Sequence, residues 1–233
     1  MVQSAQMNKL AEPKPSSNAV QDYAKAIWSL AQRSDEPVST SALAERLDVS
    51  PASASAMVKR LESLGLATRE PYHGVELTAA GERVALEVVR HHRLLELYLA
   101  QALGMPWDRV HAEAEVLEHA ISDELSERIA EALGNPTHDP HGDPIPTADG
   151  LIEERATTTL AELEPGAAGT FVRVSDSDPE MLRYLSERGI SPGDSFEVLQ
   201  KEPFDGPLSV RFGDRLHVLG GALTQAMRAE VAA

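Results

Sequence analysis

A chain of 233 residues with 42% hydrophobic and only 4% aromatic residues can fill two or three modest cores, chiefly with Leu, Val and Ala. The absence of cysteine excludes a disulfide framework and any thiolate metal site. No apolar run is long enough to span a bilayer, so the expected location is the cytoplasm. The net charge of −16 sits mostly outside residues 20–90, which hold eight Lys/Arg against ten Asp/Glu. An acidic chain that meets phosphate needs local basic groups or bound cations to offset its own field.

Residues 1–18 are polar and rich in Pro and Ser, and are expected to form a flexible arm. Val20, Tyr23, Ile27 and Leu30 then recur at helical spacing. Ser39 is placed to cap a second helix that buries Leu43 and Leu47. Ser50-Pro51 reads as the cap and first turn of a third helix, which Gly65 closes. A short hairpin follows, turning at Pro71-Tyr72-His73-Gly74. Three helices and a hairpin make a winged helix-turn-helix over residues 19–85. The early face of the third helix is Ser50, Ala52, Ser53, Ser55 and Ala56, with Lys59 and Arg60 a turn later. Small side chains let a helix enter the major groove, and hydroxyls and cations reach bases and phosphates. The alternative is a trihelical interaction module with an exposed Ser/Ala face.

Residues 86–150 are predicted to be helical. Thr78 caps a long helix to Leu103, a second helix runs through His111–His119, and Ser122 caps a third. His92 and Glu96 lie i, i+4, as do His111 and Glu115, and Glu115 and His119; Glu118 is i+3 from Glu115. His111 to His119 spans about 12 Å at about 1.5 Å per residue, too far for one ion. Two neighbouring ions fit, one on Glu115, Glu118 and His119 and the other on His92, Glu96 and His111. Imidazole and carboxylate without sulfur suit Mn(II), Fe(II), Co(II) or Zn(II). His91 and Glu113 point elsewhere and read as surface residues. His138, Asp139, His141 and Asp143 sit in a Pro-rich loop and read as structural.

In order along the chain, ALAERLDVS, the hairpin into GVELTAAGE, HHRLLE, LGMPWDRVHAEAEVLEH and NPTHDPHGDPIP make residues 20–150 resemble the diphtheria toxin repressor family of metal-dependent regulators. The resemblance implies a homodimer that binds palindromic double-stranded operator DNA when loaded with two ions per subunit. It places a primary site at Asp22, Glu115, Glu118 and His119, and an ancillary site at His92, Glu96 and His111. The iron-sensing branch has Met and Cys where this chain has Asp22 and Glu115. Carboxylates there, as in the manganese-sensing branch, suit Mn(II), with Fe(II), Co(II) or Zn(II) as possible substitutes. The recognition-helix position that is often Gln in the iron branch is Ala56. The C-terminal ligands of that branch fall near Asp178 and Met181, which makes Asp178 a candidate ligand.

From about residue 151 turn signals separate short β-rich pieces at 169–174, 195–199, 208–212 and 216–219, with a helix at 179–188. This resembles the SH3-like, FeoA-like domain that ends longer family members. The expected fold is mainly α with small β parts: winged helix, helical metal-binding and dimerisation domain, and SH3-like β-barrel over 151–233. The implied function is a metal-dependent transcriptional regulator, expected to repress manganese homeostasis genes, with no membrane or small-molecule substrate. Alternatives are an iron(II)- or zinc-dependent regulator and, from another class, a di-metal hydrolase or a metal-buffering protein.

Overall fold

The structure, a computed structural model, describes residues 17–32, 36–70, 74–204 and 206–231. It divides into two compact units, Met1–Leu86 and Glu87–Ala233. The expected arm over residues 1–16 and the wing turn at 71–73 lie outside the described residues.

The first unit is a winged helix. It contains α1 (Asn18–Ala31), α2 (Thr40–Arg46), α3 (Pro51–Ser63), β1 (Ala67–Glu70), β2 (Gly74–Leu77) and the first residues of α4 (Ala79–Leu103). Ser39 caps α2 by accepting from the Ala42 N–H, and Ser50 caps α3 by accepting from the Ser53 N–H at 3.1 Å. Val20, Ile27, Leu43, Ala54, Val58 and Leu61 close the core between the helices. The strands pair antiparallel from Ala67↔Leu77 to Glu70↔Gly74, and Val38 bridges to Val75 at the wing's free edge. Thr78 donates to the Gly65 carbonyl and accepts from Gly81, so it ties the start of α4 to the end of α3. Gly81 is required there, because a Cβ would lie 1.9 Å from the Leu66 carbonyl oxygen. On α3, burying Ala54, Val58 and Leu61 leaves Ala52, Ser53, Ala56, Lys59 and Arg60 exposed and Ser55 half-buried.

The second unit begins within α4. It continues through α5 (Val110–Leu117) and α6 (Asp123–Ala132), where Leu94, Leu97, Ala114, Ile129 and Ile145 form a core. A stretch without helix or strand leads to β3 (Thr158–Thr159), a 3₁₀ turn, β4 (Ala168–Val174) and α7 (Pro179–Glu187). Then come β5 (Ser195–Lys201), β6 (Leu208–Phe212), β7 (Arg215–Leu219), α8 (Gly221–Ala226) and β8 (Met227–Val231). The strands make one antiparallel sheet in the order β3-β8-β4-β5-β6-β7, the SH3-like part of the fold. Bulges between Phe171 and Arg173 and between Val198 and Gln200 bend it around Phe171, Val198, Val210 and Met227.

The Pro-rich loop, read from the sequence as structural, is packed inward. Asp139, His141 and Asp143 are buried. The Asp139 carboxylate accepts from the backbone N–H of His141 at 2.8 Å and of Asp143 at 2.9 Å. Asp143 pairs with Arg93 at 3.4 Å and with Arg173 at 2.5 Å. The loop is fastened to the sheet by the Val174 N–H donating to the His141 carbonyl at 2.9 Å. Gly142, at φ +88°, permits this contact: a Cβ would lie 1.9 Å from the Val172 carbonyl oxygen.

Candidate metal centre

Within the second unit, α4 contributes His92 and Glu96, one turn apart on its buried face. α5 contributes His111 and Glu115, and Glu118 and His119 follow in the turn at its end. His92 is the hub. Its Nδ1 lies 2.5 Å from Glu118 Oε2, and its Nε2 lies 3.0 Å from Glu96 Oε1 and 3.1 Å from His111 Nδ1. His111 Nδ1 is also 3.1 Å from Glu96 Oε1 and 3.0 Å from Asp176 Oδ2. Glu115 is more exposed, 3.9 Å from His92 Nδ1 and 3.7 Å from His111 Nε2. His119 Nε2 lies 3.5 Å from Glu118 Oε1.

The two sets drawn from spacing are therefore joined. His92 faces Glu118 with one nitrogen and Glu96 with the other. Each nitrogen can donate to a carboxylate only when it carries a proton, and a cation can replace either proton.

Asp178 lies elsewhere. Its carboxylate caps α7, accepting from the backbone N–H of Glu180 at 2.9 Å and of Met181 at 3.3 Å. The C-terminal carboxylate at the cluster is Asp176, two residues earlier. Sequence reasoning missed it because capping and coordination draw on the same residue type. The signal was there: an Asp followed by Pro179 at the first helical position is a helix start. His91 also departs from its reading as a surface residue, being only 6% exposed. Glu113 is exposed, as read. Asp22 lies on α1 of the first unit and is half-buried.

The discounted loop adds two further donors. His141 Nε2 donates to the Trp107 carbonyl at 2.9 Å, because a carbonyl can only accept. Its Nδ1 then faces Glu96 Oε2 at 3.7 Å and Asp139 Oδ1 at 4.0 Å. His141 and Glu96 are both 0% exposed, and among the described residues Glu96 Oε2 and His141 Nδ1 have no hydrogen-bond partner. Such atoms in a dry interior call for a cation, either a proton or a metal.

The electrostatics agree. Burial pushes the Glu96 carboxyl up, but the imidazoles of His111, His141 and His92 around it outweigh that and hold the group well below its ordinary value. Asp176, then Glu96, raise His111 to about 10. Burial pulls His141 down, but Glu96 and Asp139 bring it up to about 9. Burial pushes Asp139 well above the usual carboxylate range, and Asp143 upward. Asp176 is held at about 2 by His111 against its own burial.

The donor set fits a divalent first-row ion. His92, Glu96, His111 and Asp176 each offer a ligand atom within 4.8 Å of the others, and so do Glu96, Asp139 and His141, and His92, Glu115 and Glu118. Bonds of about 2.1–2.2 Å put neighbouring octahedral donors about 3.0–3.1 Å apart, close to the separations around Glu96 and His111.

Three family models match the chain in order. They are the iron-dependent repressor N-terminal DNA-binding domain over residues 16–75, the iron-dependent repressor metal-binding and dimerisation domain over 78–147, and the FeoA domain over 158–231. The iron-dependent repressor IdeR of Mycobacterium tuberculosis (strain ATCC 25618 / H37Rv) is 40% identical over 185 residues, 73% of this chain and 79% of that protein. The diphtheria toxin repressor of Corynebacterium glutamicum is 36% identical over 190 residues, 77% and 83% of the two chains. Among solved structures, a manganese-dependent transcriptional repressor in complex with manganese matches with a TM-score of 0.85 and 44% identity, covering 91% of this chain and 100% of that one. ScaR with bound Cd2+ matches with a TM-score of 0.76 and 29% identity, covering 91% and 98%.

Proposed function

Because the chain belongs to the iron-dependent repressor family of metal-dependent, DNA-binding transcriptional repressors, we propose that the metal it senses is Mn(II) and that it controls manganese homeostasis genes. The observation that carries this reading is the donor set: imidazole and carboxylate throughout, in a chain without cysteine. Hard oxygen donors at Asp22 and Glu115 suit Mn(II), where Met and Cys at those positions in the iron branch suit a softer ion. The likeness to a repressor solved with manganese supports it, and the equally plain likeness to iron-dependent repressors makes the donor chemistry decisive. The hydrolase and metal-buffer alternatives are set aside, since the relatives are transcriptional repressors and a winged helix serves neither role.

One ion is assigned to Asp22, Glu115, Glu118 and His119, with His92 Nδ1 beside it. The second is assigned to His92, Glu96 and His111, completed by Asp176 and His141 in place of Asp178. Bound Mn(II) supplies positive charge that offsets the clustered carboxylates. His92 holds Glu118 and Glu96 at fixed separation, and Asp139 and the Trp107 carbonyl orient His141. In this reading the bound ion would tie Asp22 of the winged helix to the metal-binding helices, as the family resemblance implies. In a homodimer this sets two α3 helices for successive major grooves, about 34 Å apart. Ser50, Ala52, Ser53, Ser55 and Ala56 then face base edges, and Lys59 and Arg60 face phosphate. Exposed Leu103, Val116, Leu117 and Leu125 on the helical part are available to bury in that dimer.

A Mn(II) titration of the metal-free protein, followed by loss of the free-ion EPR signal, is expected to count two ions per chain. Tight zinc or iron binding with no manganese uptake would replace Mn(II) by that ion. Affinity is also expected to depend on pH. His111 and His141, at about 10 and about 9, carry protons at pH 7 that coordination must displace. Each displaced proton raises apparent affinity about tenfold per pH unit below those values. Between pH 6 and 8, Mn(II) affinity at the second ion should rise about 10- to 100-fold per unit, with proton release seen in weakly buffered solution. A flat profile would remove these two histidines from the ligand set.

A further inference from the structure

Residues 104–109 connect α4 to α5, and among them Trp107 touches the second centre and the SH3-like part at once. Its backbone carbonyl accepts from His141 Nε2 at 2.9 Å. Its indole lies along the His141 imidazole, with ring centroids 5.8 Å apart and planes 18° from parallel, the geometry of an offset stack. The same side chain packs against the core of the SH3-like part, as do Met181 and Tyr184 of α7. The neighbouring Asp108 is tied to α7 as well, its Oδ2 accepting from Arg183 Nε at 3.3 Å.

His141 is thus held at three points. Asp139 accepts from its backbone N–H, the Trp107 carbonyl takes the Nε2 hydrogen, and the indole face fixes the plane of the ring. Its Nδ1 is thereby aimed at Glu96 Oε2, 3.7 Å away in a fully buried place. Neither atom has a hydrogen-bond partner among the described residues. An imidazole free to turn loses that alignment, and ordering it when an ion binds costs free energy.

We propose that Trp107 is the positioning residue of the second metal centre, and that through it the seating of the SH3-like part sets the affinity for that ion. This rests on the ligand assignment made above. Trp107 is no ligand and acts through His141. Asp176 stands two residues before the cap of α7, so the docking of α7 also places that donor, 3.0 Å from His111.

The test titrates the metal-free full chain with Mn(II), and with Co(II) in parallel, resolving the two binding steps by calorimetry. Trp107→Leu keeps the carbonyl and removes the flat face. It is expected to weaken the second ion about tenfold, as loss of a group that orients a ligand does, and to leave the first unchanged. Trp107→Phe, which keeps a flat ring, is expected to restore most of that affinity. The chain has two tryptophans, Trp28 and Trp107. The emission of Trp107, taken as the difference between wild type and Trp107→Phe, should be quenched by Mn(II) in step with the second ion. An unchanged second ion in Trp107→Leu, equal loss at both ions, or emission indifferent to the second ion would overturn the proposal. Should Trp107→Leu lose its helical circular dichroism, Arg183→Gln, at an exposed position, is expected to weaken the second ion about two- to fivefold, and no change there would overturn it equally. Failure of the manganese reading alone would look different: the wild type takes fewer than two Mn(II), while the Co(II) series still shows the loss at its second ion only.

Discussion

Glu96→Gln is expected to remove the second Mn(II) while leaving the first, and to destabilise the metal-free second unit by about 3 kcal/mol at pH 7. Glu96 is completely buried and has His92, His111 and His141 around it. Glutamine keeps the volume but removes the charge that these imidazoles face. The sign follows from the depressed value of Glu96: its contribution is present above the ordinary carboxylate range and is lost as pH falls through the lower folded value. The loss in the variant should therefore be full at pH 7 and shrink in acid. Denaturant unfolding and Mn(II) titration at both pH values would read it. Two ions bound with unchanged affinity would show that Glu96 is no ligand.

Asp22→Ala is the second large effect expected, and it should fall on coupling rather than folding. Asp22 is half-buried on α1, while the core of the winged helix is made by Val20, Tyr23 and Ile27 on that helix. Removing the carboxylate should leave the helical content and the dimer in place. In the proposed reading it takes away the first unit's share of the primary ion. Mn(II)-stimulated operator affinity should fall about 10- to 100-fold, the usual size of an allosteric coupling. Gel retardation with and without Mn(II), beside the EPR count, separates the two effects. Operator binding that still responds fully to Mn(II) would sink the coupling role of Asp22.

The parts of the centre that were legible in the sequence are those that lie on one helix. His92 with Glu96 and His111 with Glu115 share faces because four residues make about one turn. That periodicity survives whatever the helix packs against. Asp139 and His141 were passed over because a Pro-rich loop has no period from which to read direction. Their inward orientation comes from the backbone N–H groups that Asp139 accepts and from the loop's seat on β4 through Gly142. The choice between Asp176 and Asp178 turned on the start of α7: Asp178 precedes Pro179 and caps the helix, which leaves Asp176 to face His111.

The sequence alone determined the winged helix and the run of α4 to α6. Caps at Ser39, Ser50, Thr78 and Ser122 and stops at Gly65 and Gly104 are local signals, settled by hydrogen bonds within a few residues. It also determined most of the strands between β4 and β7, where turn residues and alternation coincide. It did not disclose β8, Met227–Val231, whose weak strand composition is overridden by pairing with β3 and β4 on either side. Only the tertiary structure decided that His92 joins the two donor sets and that Glu96 is shared among three imidazoles. It also decided that a distant loop and the segment after β4 bring His141 and Asp176 to Glu96 and His111. These are contacts between elements far apart in the chain. What fixes them is the burial of charge, which must find its partners wherever the fold can bring them.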